Sequence, residues 1–358
     1  MNKEKTLDMI AKLSNANGIS GFEDEVIEVI SNYGKDLGKI EEDSLRNLYL
    51  YRKENTGDKP IVQIDCHTDE VGFMVRFIKP NGLLKIAPIG GWVVNNLPGN
   101  KVKVRNSEGR YIPGIIASKP PHYMTEGEKN KALDFEHISV DVGARSKEEA
   151  VNCFKIRIGE PIVPAADFEY YAENDLMIGK AFDNRLGCGM IISTLERVKD
   201  RPLDVDLVAS FASQEEVGIR GAVIASRKIK PDLAIVFEAS PADDTFLNDY
   251  AIQTAIKKGP MLRHMDKVMI TNPRLQRFTL ELAEREGIAV QEGVRTGGGT
   301  NAGAIHLSNQ GVPTIVIGLP VRYIHTHYGM TSYFDYENGV KLAYSMLKTL
   351  NKEIIASL

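Results

Sequence analysis

The stretch Ser213-Gln214-Glu215-Glu216-Val217-Gly218 directly follows residues 205–212 (VDLVASFA), an apolar run that predicts a buried strand of a parallel sheet. The carboxyl ends of such strands are where α/β sheets place their sites. Successive side chains there point in different directions, so Glu215 and Glu216 cannot do the same job. One could hold a cation while the other handles protons, which suggests metal-assisted hydrolysis. A solvated pair of charges is the alternative for two glutamates considered alone.

The composition predicts a soluble, intracellular protein of about two domains. The chain has 358 residues, 43% of them hydrophobic and 26% charged, with a net charge of −4. Scattered basic residues and this charge give no reason to expect nucleic acid or a membrane as a partner. Three cysteines without metal or redox spacing predict reduced thiols and a cytoplasmic location. The charged first eight residues are unlike a signal peptide, and no apolar run reaches membrane length.

Strand and helix patterns alternate along the chain, stop near Val71 and resume near Asp175, which predicts an α/β fold with an insertion. Inside the insertion, short β-like pieces such as residues 101–105 (KVKVR) alternate with glycine and proline turns. Many short strands of this kind predict a small β-barrel or sandwich of roughly a hundred residues. Before the insertion, Ser20 and Glu23 have the spacing of a capping box and predict the start of a helix.

Two candidate sites lie at the ends of predicted core elements. His67 and Asp69 follow an apolar strand, and Asp69 could accept the ring N–H that a liganding His67 leaves free. The alternative is a polar turn with a hydrogen-bonded histidine. Asp183 lies at a loop-to-helix junction, where it is either an N-cap or a carboxylate that bridges two cations.

Two further candidates follow later strands. Glu238 ends the apolar run 231–238, and a buried carboxylate there requires either a salt bridge or a metal. His325 and His327 follow the last core strand, and either could be a ligand, although lone histidines are more often structural. A bridging aspartate with one histidine and one carboxylate per metal would make two catalytic sites of the zinc type. Dinuclear hydrolases hold two such metals roughly 3.5–4 Å apart.

Four segments resemble, in order and spacing, motifs of the tetrahedral (TET) aminopeptidases. They are residues 67–73 (HTDEVGF), 181–185 (AFDNR), 215–222 (EEVGIRGA) and 320–326 (PVRYIHT). This family includes glutamyl, leucyl, lysyl and deblocking enzymes, and some members carry a cellulase or endoglucanase label. The resemblance runs nearly end to end. It implies a mixed, mostly parallel α/β sheet flanked by helices in a catalytic domain of residues 1–70 plus 165–358, with an inserted β-barrel dimerisation domain of residues 71–164.

The resemblance also implies a role for each candidate residue. His67 and Glu216 would bind one metal and Glu238 and His325 the other, with Asp183 as the bridge. Glu215 would be the general base and Asp69 would orient His67. The cofactors would be two divalent ions per subunit, zinc or cobalt. The substrates would be short peptides that lose their N-terminal residues, and dimers would assemble into a homo-oligomeric dodecamer. The chain departs from the family in carrying glutamate at Glu238 and asparagine at Asn301, where aspartate is usual.

Two other functions compete with a two-metal aminopeptidase. A glycoside hydrolase of the endoglucanase type would use two carboxylates, such as Glu215 and Glu238, and would leave the histidines without a purpose. A non-catalytic assembly with a damaged metal site would explain Glu238 and Asn301. Sensitivity to a chelator separates the aminopeptidase from the glycosidase, and failure to bind two metals would favour the non-catalytic protein.

Overall fold

A computed structural model describes residues 1–358, in which a mixed eight-stranded sheet forms the centre. The strands of the whole chain are β1 (Gly38–Glu42), β2 (Leu48–Arg52), β3 (Ile61–His67), β4 (Gly72–Ile78), β5 (Leu84–Ile89), β6 (Lys101–Arg105), β7 (Tyr111–Ser118), β8 (Ile138–Asp141), β9 (Pro161–Pro164), β10 (Glu169–Tyr171), β11 (Leu176–Gly179), β12 (Asp206–Ala212), β13 (Leu233–Pro241), β14 (Met261–Met265), β15 (Gln291–Val294), β16 (Thr314–Val321) and β17 (Gly329–Ser332). The order in the central sheet is β1-β2-β12-β3-β13-β16-β14-β15.

The four middle strands of this sheet run parallel and bring the predicted site to one edge. β12, β13 and β16 are apolar runs, and together with β3 they are buried along almost their whole length, as expected for strands covered on both faces. The register pairs Ala212 of β12 with His67 of β3. Since parallel strands end at the same edge, the segments that follow β12, β3 and β16 meet there.

Helices cover the sheet and supply one further site residue. They are α1 (Lys3–Asn15), α2 (Asp24–Gly34), α3 (Glu126–Lys129), α4 (Lys147–Asn152), α5 (Phe182–Val198), α6 (Arg220–Ile229), α7 (Pro273–Arg285), α8 (Ala302–Ile305), α9 (Tyr333–Thr349) and α10 (Lys352–Ala356). Nearly all of α5 is buried, because it packs on β3 and β13 and is covered by α1 and α9. This packing carries Asp183, in its first turn, to the carboxyl edge of the sheet. None of the helices is both long enough and apolar enough to span a membrane.

The six strands from β4 to β9, which follow β3 in the sequence, close into a barrel in the order β4-β5-β8-β7-β6-β9. The barrel has a hydrophobic core of its own, drawn from residues 73–162, whereas the core beneath the sheet contains no residue between Cys66 and Met177. The predicted fold class, a mixed α/β sheet with an inserted β-barrel, is therefore confirmed. Of the two forms that the sequence left open, the barrel is the one observed.

The predicted capping box at the start of α2 is wrong. The helix begins at Asp24, and its N-cap residue Glu23 makes no side-chain capping bond. The Ser20 hydroxyl instead donates to a carboxylate oxygen of Asp69 at 2.6 Å, and Glu23 accepts from the backbone N–H of Gly21 at 2.8 Å. Both side chains are buried against the carboxyl edge of the sheet, where partners from other segments replace the local cap.

Candidate metal centre

Two groups of ligand atoms lie at the carboxyl edge of the sheet. We call His67, Asp183 and Glu238 the first ligand group. The His67 Nε2 atom lies 3.0 Å from Oδ1 of Asp183 and 3.4 Å from Oε1 of Glu238. The nitrogen and oxygen atoms of this group all lie within 4.8 Å of one another. Such a spacing allows the three side chains to contact a single cation.

The second ligand group consists of Asp183, Glu216 and His325. The His325 Nε2 atom lies 3.5 Å from Oδ2 of Asp183 and 3.4 Å from Oε2 of Glu216. Asp183 thus presents one carboxylate oxygen to each group, which is the geometry of a bridging ligand. The structure therefore brings together all five side chains that the sequence suggested as ligands.

The structure groups these side chains differently from the expected pairing. The resemblance implied His67 with Glu216 and Glu238 with His325, but the structure groups His67 with Glu238 and Glu216 with His325. The sheet explains the difference, because β3 lies between β12 and β13. The register that pairs Val236 with Asp65 brings Glu238 level with His67 on the neighbouring strand. Glu216 has already left the sheet in the turn after β12, where it meets His325.

The electrostatics of the two groups fit a pair of divalent cations. Burial raises the pKa of Glu238 to about 8 and also raises the pKa of Glu216. Burial alone would lower the pKa of His325, but the carboxylates of Asp183 and Glu216 raise it to about 11. Oxygen Oε1 of Glu216 is buried without a hydrogen-bond partner. Buried carboxylates of this kind are costly unless a cation compensates them, and mixed nitrogen and oxygen donors are those that zinc-like ions take.

Glu215 lies beside both ligand groups without belonging to either. It lines a pocket of about 280 Å³ together with His67, Asp183, Glu216, Glu238 and His325. Burial, with the nearby carboxylates of Glu238 and Glu216, raises the pKa of Glu215 well above its ordinary value. A carboxyl group with a raised pKa at the edge of a reaction pocket has the properties of a general acid–base residue.

Asp69 contacts His67, but its carboxylate mainly binds the turn that carries the two glutamates. The His67 Nδ1 atom lies 3.1 Å from the backbone carbonyl oxygen of Asp69 and 3.4 Å from its Oδ1. The carbonyl is the better acceptor by distance. The two carboxylate oxygens accept the backbone N–H groups of Glu215 and Glu216 at 2.9 and 3.1 Å. The sequence predicted the first contact and missed the second.

Left-handed backbone conformations surround the site. Ala181 and Gln214 have φ values of 53° and 54°, and Tyr323 and His325 have values of 66° and 58°. Such conformations cost non-glycine residues roughly 1–3 kcal/mol each and persist only where the surrounding structure fixes them. Each of these four residues is a ligand or lies within two residues of one, so the local strain is concentrated where the side chains must be aimed.

His327 and Asn301, whose roles the sequence did not decide, lie outside the two ligand groups. The His327 ring donates from Nε2 to the backbone carbonyl of Lys101 at 3.1 Å, and burial lowers its pKa to about 4. His325, rather than His327, therefore reaches the cluster. Asn301 is fully buried and donates to Oδ1 of Asp65 at 2.7 Å, so it does not line the pocket.

Two arginines that the sequence did not single out also line this pocket. The Arg263 guanidinium bonds Asp266 at 2.9 Å, and the Arg295 guanidinium bonds Asp243 at 3.0 Å. The Nε–H group of each arginine is buried and has no acceptor. No motif marked either residue, since isolated arginines in a strand and in a loop are ordinary features of a surface. The pocket is thus lined both by the acidic ligands and by two guanidinium groups.

Comparison with known proteins gives a consistent result across the chain. A family model described as M42 glutamyl aminopeptidase matches residues 47–342. The glutamyl aminopeptidase of Lactococcus lactis is 33% identical over 353 residues, which cover 98% of each protein. The lysyl aminopeptidase of Pyrococcus furiosus is 31% identical over 352 residues, which cover 96% of this chain and 97% of that protein. A crystal structure of a TET aminopeptidase from a marine sediment thaumarchaeote superposes with a TM-score of 0.96 at 35% identity and covers 100% and 99% of the two chains.

Two further solved structures bear on assembly and on the competing function. The TET1 peptidase of Pyrococcus horikoshii, which can assemble into a tetrahedron or a large octahedral shell, has a TM-score of 0.86 at 27% identity, with 96% and 100% of the chains covered. A Thermotoga maritima protein described as an endoglucanase has a TM-score of 0.76 at 27% identity, with 97% and 98% covered. The predicted resemblance is confirmed: the chain belongs to the M42 aminopeptidase family and is a peptide-bond hydrolase.

Proposed function

We propose that this chain is a two-metal aminopeptidase that releases N-terminal residues from short peptides. The observation that carries the proposal is the position of Asp183, whose two carboxylate oxygens face the first and second ligand groups separately. His67 and Glu238 would complete one site, and Glu216 and His325 the other. Two divalent cations bound there, zinc or cobalt, would polarise the scissile carbonyl and hold the free α-amino group of the peptide.

In this proposal Glu215 moves the proton. It lies in the pocket with the ligands, and its raised pKa allows it to take a proton from the attacking water and to give that proton to the departing amine. Asp69 holds Glu215 and Glu216 through their backbone N–H groups, so it positions the base without touching the substrate. The pocket of about 280 Å³ beside these residues would receive the first residue of the peptide.

We further propose a homo-oligomer in the cytoplasm. Residues 71–164, which contain the barrel, would be the dimerisation domain, and residues 1–70 plus 165–358 the catalytic domain. The assembly of the related TET1 peptidase supports a closed shell built from dimers, a dodecamer in the simplest case. All three cysteines are free thiols, which is the usual state in a reducing compartment.

The test compares a peptide that has a free N-terminus with a peptide of the same sequence whose N-terminus is acetylated. Each is incubated with cobalt- or zinc-loaded protein, and the products are identified by mass spectrometry. We expect a ladder of single-residue losses from the free peptide alone, and a chelator should abolish it. Losses from both peptides would indicate a deblocking enzyme. Release of sugar from a β-glucan that persists with the chelator would instead support the glycosidase, the second candidate raised by the endoglucanase relative. Failure to bind two cations would support the non-catalytic protein.

A further inference from the structure

The main chain of the barrel lies directly against the second ligand group. After β5 the chain turns through Gly90 and Gly91, which have no side chains to keep the segment away. A Cβ atom at position 91 would lie 3.1 Å from Nδ1 of His325, and one at position 90 would lie 3.2 Å from Oε2 of Glu216. Cβ contacts of this length are tighter than nearly all that proteins show, so a side chain at either position would push His325 or Glu216 by a few tenths of an ångström. The barrel thus lies behind Glu216 and His325, the two ligands that the second ligand group does not share with the first.

A second contact ties the His325 loop to the barrel. His327, two residues further on, is 3% exposed and donates from Nε2 to the carbonyl of Lys101 at the start of β6. Its ring lies 5.7 Å from the ring of Trp92, which is stacked on Phe73 of the barrel core at 4.8 Å. The barrel therefore lies against this loop at His325 and holds it by a hydrogen bond at His327.

The first ligand group has a different support. His67 ends β3 and pairs with Ala212 of β12, and Glu238 lies in β13 and pairs with Gly318 of β16, so the central sheet fixes both residues. His325 lies on a loop, and its own φ of 58° requires contacts from outside the loop. A displacement of the barrel would consequently move His325 and leave His67, Glu238 and the shared Asp183 in place.

We propose that the Gly90-Gly91 turn and His327 are positioning elements of the second ligand group, through which the barrel sets the affinity for the second cation. This inference rests on the proposed two-metal function. It predicts that changes in this part of the barrel weaken one of two bound cations, whereas damage to the shared fold would weaken both. The barrel is then part of the metal site as well as a candidate surface for assembly.

The experiment uses the metal-free full-length protein, dialysed against Co²⁺, with the bound metal counted by elemental analysis. Gly91→Ala is the main variant, because its added methyl group presses on His325. Gly127→Ala is the matched control, since a Cβ there meets nothing within 4 Å. His327→Leu removes the donor to Lys101, and His327→Gln keeps an N–H group. Far-UV circular dichroism and thermal unfolding check that each variant folds.

The wild-type protein should bind two Co²⁺ ions, and Gly91→Ala should weaken the second by about 10- to 100-fold while the first is unchanged. His327→Leu should do the same, His327→Gln should recover part of the loss, and Gly127→Ala should match the wild type. In a Glu216→Gln background, which retains one cation, Gly91→Ala should have no further effect. Unchanged binding in folded Gly91→Ala and His327→Leu, or weakening of both cations, overturns the inference and leaves the proposed function intact. A wild type that binds fewer than two ions contradicts the proposed function itself and the inference with it.

Discussion

The Oδ1 atom of Asp69 accepts a hydrogen bond of 2.9 Å from the backbone N–H of Glu215. Oδ2 of the same carboxylate accepts from the backbone of Glu216 at 3.1 Å and from the hydroxyl of Ser20 at 2.6 Å. Asp69 is fully buried, and its pKa is lowered, because contacts with His67 and these donors outweigh the effect of burial. One carboxylate therefore fixes the turn on which two adjacent glutamates take different directions and, in our proposal, different tasks.

Replacing Asp69 by asparagine should impair catalysis more than folding. Each of the two carboxylate oxygens now accepts one backbone N–H, and in asparagine one of these oxygens becomes an NH₂ group. One N–H donor would therefore lose its acceptor, which should lower the free energy of unfolding by roughly 1–3 kcal/mol. Because the base and a ligand would shift together, we expect kcat to fall about 10- to 100-fold. Ser20→Ala is the control, since it removes one partner of Asp69 without disturbing the turn. Equal losses of kcat in the two variants would contradict a positioning role for Asp69.

The neighbours Glu215 and Glu216 allow a matched test of the division of labour. Glu215→Gln should lower kcat by at least about 10²-fold while both cations stay bound, because only the proton carrier is lost. Glu216→Gln makes the same chemical change one residue later, and it should release the second cation. Metal content and steady-state kinetics measured on both variants provide the check. Substantial activity in Glu215→Gln would mean that another group is the base.

Arg263 and Arg295, which line the pocket, should favour substrates whose first residue is acidic. Although each arginine is paired with an aspartate, its guanidinium group has further donors that can bind a carboxylate of the substrate. We expect kcat/KM for peptides that begin with glutamate to exceed that for leucine or lysine. Arg295→Lys keeps the charge beside Asp243 but loses the planar set of guanidinium donors, so it should reduce this preference. The exposed Arg145→Lys is the control. A preference for leucine in the wild type would contradict the assignment.

The fold and the set of candidate ligands were predictable, because both depend on position along the chain. Apolar strands such as β12 and β16 are recognisable as continuous hydrophobic runs, and polar residues just after them meet at one edge of a parallel sheet. His67, Glu216 and His325 follow this rule directly. The pairing of the ligands depends on which strands are neighbours in the sheet and on how far the side chain of a turn residue extends. Neither property can be inferred from a local sequence pattern.

The missed residues share a different property, namely that their partners are far away in sequence. Ser20 and Glu23 carry the spacing of a capping box, yet Ser20 binds Asp69, which is 49 positions later. No sequence motif singled out Gly90 and Gly91, whose important neighbours, Glu216 and His325, lie in two distant segments. Local spacing cannot distinguish a cap from a long-range hydrogen bond, since the same residue types serve both.

Glu23 provides a prediction about pH and stability that is independent of the metal ligands. Burial, followed by the charge of Asp69, raises the pKa of Glu23 from 4.5 to about 7. In the unfolded chain this carboxyl group ionises near 4.5, whereas in the folded protein it keeps its proton until about pH 7. The folded state therefore binds more protons in this window, and the free energy of unfolding should fall as the pH rises through it. The difference between the two pKa values corresponds to about 3 kcal/mol.

Glu23→Gln removes this titration while it retains an oxygen that can accept from Gly21. Relative to the wild type, the variant should gain stability as the pH rises from about 5 to about 8, with the gain levelling off above the folded pKa. Urea unfolding at a series of pH values measures the difference. Glu28→Gln, an exposed position on the same helix, is the control and should show no such gain. A constant difference between wild type and Glu23→Gln across the range would mean that Glu23 ionises in the folded protein near its ordinary pKa of 4.5.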